Sequence, residues 1–175
     1  CADDKSVVVH QIRLDKRQLV VVDKIAVLDG FASDTRSVVL FDTTLREKEA
    51  TPAANGTALC AACSDDGVVR LFKMDAAKAN FTSRIQNQAS NGTIGGHQPD
   101  SISACVVVKL DETLAIVSCD DQGVVKAHDL HCSKLLWKVL LKSGNEGMTA
   151  AISMVVIDDC LFVGMYQMLT TLKVS

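Results

Sequence analysis

Cys60-Ala61-Ala62-Cys63 has the spacing of a redox pair or half a zinc site, and His128-Asp129-Leu130-His131-Cys132 could supply the other half. That chemistry needs a turn or a helix start at the cysteines. Here the segment runs into an extended, β-prone stretch. Residues three apart on a strand point to opposite faces, about 10 Å apart, which forbids a disulfide. Four aspartate pairs, Asp3-Asp4, Asp65-Asp66, Asp120-Asp121 and Asp158-Asp159, have the residue type for calcium or for acid/base work. Calcium needs several oxygens in one loop, and acid/base chemistry needs two carboxylates facing one substrate. These pairs recur at separate turns, where an aspartate bonds its own backbone, so they read as turn residues. His97 follows two glycines and reads as a structural histidine. No nucleophile elbow, phosphate loop or dinucleotide fingerprint occurs. The expectation is a chain without catalytic residues, cofactor or metal, and not an enzyme.

The elements that would position these residues are short β-branched runs. They are Val7–Val9, Leu19–Val22, Ile25–Leu28, Val38–Phe41, Val68–Phe72, Cys105–Leu110, Leu114–Val117, Val124–Lys126, Leu135–Leu141, Ile152–Ile157 and Leu161–Val163. Turn chemistry separates them, as at Asp65-Asp66-Gly67 and Asp121-Gln122-Gly123. Many runs are apolar without alternation, which predicts strands covered on both faces, as in an antiparallel sheet lying between similar sheets. No segment carries a helical stripe. Two polar stretches read as loops, 46–56 and 83–101, and the second is a flexible connector.

Those runs contain a repeat. Cys63-Ser64-Asp65-Asp66-Gly67-Val68-Val69-Arg70-Leu71-Phe72 is echoed by Cys119-Asp120-Asp121-Gln122-Gly123-Val124-Val125-Lys126-Ala127-His128, and more weakly by residues 1–10. Self-similarity means one supersecondary unit stacked several times. The segment from Gly96 to Asp129 resembles one blade of a WD-repeat β-propeller. Gly96-His97 stands at that family's Gly-His pair, Ser101–Lys109 at the innermost strand and Leu114–Ser118 at the second. Val124–His128 stands at the third strand, His128-Asp129 at the Trp-Asp pair, and Lys134–Leu141 at the outer strand. The resemblance implies a hydrogen-bonded set of His97, Ser118, Asp121 and His128, with Asp66 and Phe72 as counterparts in the preceding unit. The sequence departs from the family in having no Trp in that slot. His10, Phe41, Phe72 and His128 occupy it, at uneven spacing, while Trp137 falls on the outer strand.

The resemblance implies an all-β chain, part of a WD-repeat-like propeller with four-stranded antiparallel blades. Residues 1–175 would form a single, incomplete domain beginning inside a blade. The function implied is a non-catalytic scaffold in an intracellular assembly, holding other proteins through loops and propeller faces. The alternative is a stabilising or activating subunit of an enzyme complex. The best contact candidates are the loops 43–56 and 83–100.

Composition sets outer limits. The chain has 175 residues, 48% apolar and 22% charged, enough for a packed core. A net charge of −3 without basic clusters argues against a nucleic-acid surface. No stretch is long and apolar enough for a membrane helix. Seven cysteines in apolar settings read as free thiols in a reducing compartment, hence a cytoplasmic location. Asn55, Asn80 and Asn91 head glycosylation sequons, which would matter if the chain entered the secretory lumen.

Overall fold

A computed structural model describes residues 5–15, 18–42, 57–75, 80–85, 101–110, 113–129, 134–141, 150–165 and 168–173. The secondary structure in these residues is all β. The strands are β1 (Val7–Asp15), β2 (Gln18–Leu28), β3 (Thr35–Asp42), β4 (Thr57–Ser64), β5 (Val69–Asp75), β6 (Asn80–Ile85) and β7 (Ile102–Leu110). They continue as β8 (Thr113–Asp120), β9 (Val124–Asp129), β10 (Leu135–Leu140), β11 (Ala151–Ile157), β12 (Cys160–Met165) and β13 (Met168–Lys173).

The strands form four open antiparallel sheets, each a simple meander. The first is β1-β2, the second β3-β4-β5-β6, the third β7-β8-β9-β10 and the fourth β11-β12-β13. Chain neighbours pair because hairpin turns close them at little entropic cost. The sheets then lie in chain order, and β7 runs beside both β3 and β11. The leading strands of three successive sheets are therefore neighbours.

Three apolar clusters hold the stack together. Leu28 and Phe31 pack with Cys60, Ala62 and Phe72 between the first and second sheets. Ala61, Cys63, Val69 and Leu71 pack with Ile102, Cys105 and Ile116 between the second and third. Ala115, Val117, Cys119, Val125 and Ala127 pack with Ala151, Leu161, Val163 and Met165 between the third and fourth. Strand β4 feeds two clusters because its side chains alternate, Cys60 and Ala62 one way, Ala61 and Cys63 the other. The two cysteines of the Cys-x-x-Cys spacing thus lie on opposite faces, and both are free thiols. Continuous apolar runs in β4 and β8 follow from coverage on both sides.

The repeat extends to backbone detail. The leading strands of the last three sheets share a bulge one residue in, at Arg36 in β3, Ser103 in β7 and Ile152 in β11. Pairings superpose as well: Cys60 faces Phe72, Ile116 faces His128 and Leu161 faces Leu172. That register separates Phe41 from the slot expected for it. Phe41 pairs with Leu59 on leading strand β3, whereas Phe72 and His128 sit on third strands. Without Phe41 the equivalent positions Phe72, His128 and Leu172 are still unevenly spaced, because the segments joining the sheets differ in length.

Three strands escape sequence patterning. β4 is rich in Ala and Cys, β6 begins within a stretch of low β propensity, and β13 has only Thr170 and Thr171 as β-branched residues. Residues 83–85 extend β6 rather than opening a loop, and Asn80 begins that strand. Residues 19–22 and 25–28 are one strand, β2, whose pairing with β1 carries two register shifts.

Candidate functional site

The hairpin tips β4–β5 and β8–β9, and the segments leading into β3 and β7, share one end of the stack. The tips close alike. Gly67 N–H donates to Ser64 O at 3.2 Å and Gly123 N–H to Asp120 O at 3.1 Å. Both glycines have positive φ, 74° and 76°, where a side chain would be strained. Each tip is also tied to the approach of its own leading strand. Asp65 N–H donates to Asp34 O at 2.9 Å, and Asp121 N–H to Ser101 O at 3.4 Å.

The second sheet adds a polar network to this frame. Asp66 accepts from the Val68 amide at 3.1 Å, from Arg70 at 3.1 Å and from the Ser64 hydroxyl. Its second oxygen accepts from the Ala32 amide at 3.0 Å and pairs with Arg70 at 2.8 Å. The Arg70 guanidinium lies 4.8 Å from the Phe31 ring centroid, and Phe31 meets Phe72 at 6.0 Å. Burial works against the Asp66 charge, but hydrogen bonds from Arg70, Ser64 and the Ala32 amide, with the Arg70 charge, outweigh it. Its pKa is lowered from 3.8.

The third sheet does the same work from a different position. Asp120 Oδ1 accepts from the Gln122 amide at 3.0 Å and the Val124 amide at 2.8 Å. Val124 corresponds to Val68, and Lys126 to Arg70. Burial lowers the Lys126 pKa, with Lys138 adding to the effect and Asp120 opposing it. Asp121, which the sequence singled out, corresponds to Asp65 rather than Asp66. Asp65 pairs with Arg36, whose Nε donates at 2.7 Å. The matching bulge residue beside Asp121 is Ser103, and Asp121 Oδ1 is buried with no hydrogen-bond partner among the described residues.

The remaining members of the expected set are placed as follows. Ser118 is buried on β8, and His128 is buried on β9 opposite Ile116. Asp129 Oδ1 accepts from the Lys134 amide at 3.0 Å, closing the β9–β10 turn. Phe72 is buried between the first two sheets. His97 lies outside the described residues, as do the loop 43–56, residues 86–100, Asn55 and Asn91. Sequence reasoning missed Asp120, Ser64, Arg70 and Arg36. The signal was available for one pair, since Arg70 and Lys126 share a repeat position three residues after Gly67 and Gly123.

Among the described residues, no group of three or more His, Cys, Asp or Glu side chains is placed to hold a metal ion. Asp158-Asp159 closes the β11–β12 hairpin at the opposite end of the stack from Asp65-Asp66. The described pairs are thus dispersed over separate turns. What this end offers chemically is a rigid polar rim, with Arg36, Asp34 and Gln122 reaching solvent.

No protein-family model matches the chain, and neither does any curated protein. Solved structures do resemble it. The computationally designed Ika4 protein aligns over 91% of this chain and 74% of its own at 15% identity, with a TM-score of 0.52. The computationally designed Ika8 protein aligns over 99% of this chain and 44% of its own at 14% identity, with a TM-score of 0.51. This chain therefore spans less than half the length of Ika8. At such identities the likeness concerns the fold alone.

Proposed function

We propose that the chain is part of a WD-repeat-like β-propeller and serves as a non-catalytic scaffold for other proteins. The observation that carries this reading is the side-by-side run of leading strands β3, β7 and β11. Each opens a separate antiparallel meander and each is bulged at the same place. Radially repeated meanders of this kind make a rigid body with variable rims, suited to presenting loops to partners. The structural set of this reading is Ser118, Asp121, His128, Asp66 and Phe72, joined by His97. The five described cysteines are free, which supports a reducing compartment such as the cytoplasm.

The contact surface in this reading is the tip rim around Arg36, Asp65 and Gln122. The test is copurification from a native extract with the wild-type chain and with Arg36→Glu/Gln122→Arg. Defined partner proteins that bind the wild type and are lost from the variant, at equal melting temperature, support the scaffold. Turnover of a substrate by the purified chain, abolished by Asp121→Asn with folding intact, contradicts it.

A further inference from the structure

The fourth sheet has one face on the third sheet and one exposed among the described residues, and the exposed face is largely apolar. Ile152, Val155, Ile157 and Leu169 are all exposed. Register identifies what these positions are elsewhere in the stack. Leu169 pairs with Gly164 as Val69 pairs with Cys63 and Val125 with Cys119. Leu169 is 66% exposed, whereas Val69 and Val125 are 0% exposed. Ile157 pairs with Cys160 as Val108 pairs with Ala115, at 55% against 2% exposure. In the second and third sheets this face is covered by the next sheet. In the fourth it stays largely apolar, with Ser153 and Thr171 where the third sheet has Ala104 and Ala127, and it has no cover among the described residues.

The first sheet has the complementary remainder. Val7, Val9 and Leu28 pack toward the second sheet, and Val8 and Val27, which pair with each other, point away and are exposed. Every internal interface joins the forward face of one sheet to the backward face of the next. Among the described residues one face of each kind is open, and the two do not cover each other. Their exposed charges are opposite in sign, with Lys173 on the forward face and Asp29 just past the end of β2 on the first sheet. Contiguous apolar faces of this kind mark interaction sites.

We propose that the open face of the fourth sheet is an interface with a second copy of this chain, which lays the outward face of its first sheet on it, head to tail. The contact is heterologous, so each copy contributes a different surface. It rests on the order of the sheets and not on the scaffold role, so its failure leaves that role standing.

Sedimentation velocity over a concentration series tests it. The wild type self-associates reversibly. Leu169→Lys weakens association at least about tenfold, and so does Val27→Lys on the opposite face, each with unchanged circular dichroism. If Leu169→Lys alters the dichroism, Ile157→Lys probes the same face. An equimolar mixture of one forward-face and one backward-face variant recovers a dimer, because each supplies the face the other lacks. A wild type that stays monomeric throughout overturns the proposal. So does a Val27→Lys variant that associates like the wild type, since the contact would then join two like faces.

Discussion

Asp66 accepts the Ala32 amide at 3.0 Å, so one carboxylate binds a hairpin tip of the second sheet to the segment leading out of the first. The same carboxylate neutralises Arg70, which is itself largely buried. Removing it leaves a guanidinium without its counter-charge and three amide or hydroxyl donors without an acceptor. Asp66→Ala is expected to cost about 3 kcal/mol, read by denaturant unfolding. Arg36→Ala breaks the exposed pair with neighbouring Asp65 and is expected to cost less than about 1 kcal/mol. Equal costs would show that the two aspartates are not divided in role as described.

The lowered pKa of Asp66 has a sign in pH. A carboxylate that titrates lower in the folded chain than in the unfolded one stabilises the fold above its unfolded value. That contribution is lost as pH falls through the folded value, below 3.8. The melting-temperature gap between wild type and Asp66→Asn should be full at neutral pH and shrink in the acid range. A gap unchanged down to acid unfolding would remove Asp66 from the account.

Ser103 stands where Arg36 stands in the preceding sheet, and Asp121 Oδ1 is left without a partner there among the described residues. Ser103→Arg should recreate the pair and raise stability by up to about 1 kcal/mol, measured by thermal unfolding. The gain should vanish in Ser103→Arg/Asp121→Asn. A gain that survives the double substitution would show that no such pair forms.

Burial raises the thiols of Cys60 and Cys119 from 9.0 to about 12, and that of Cys63 rises too, chiefly through its hydrogen bond with Cys105. Thiols raised in the folded state keep their stabilising effect below the unfolded value and lose it as pH climbs. Stability should therefore decline above about pH 9, more steeply than in Cys60→Ala/Cys119→Ala. In the native chain at pH 8, a thiol reagent should modify half-buried Cys160 before the buried Cys60, Cys63, Cys105 and Cys119. Modification of Cys60 and Cys63 at the same rate would contradict their placement between sheets.

Some of this was legible in residue types. Gly67 and Gly123 with their aspartates marked two tips, and unbroken apolar runs implied strands covered on both sides. The three strands that were missed show what patterning does not carry. β4 lies between two other sheets, where small side chains fit, so Ala and Cys replace the β-branched residues that advertise a strand. The division of labour between Asp65 and Asp66 was hidden because either carboxylate satisfies a turn. Only the positions of Arg36, Arg70 and the Ala32 amide decide which does what. The cap on Val124 moved from the position of Asp66 to Asp120, and no one-dimensional alignment of the two copies shows that exchange.

The stacking of successive sheets underlies every inference above, and methyl–methyl nuclear Overhauser contacts test it most directly. The account predicts cross-peaks from Ala61, Val69 and Leu71 to Ile102 and Ile116, and from Val117 and Val125 to Leu161 and Val163. Intra-sheet cross-peaks without any across those two boundaries would contradict it.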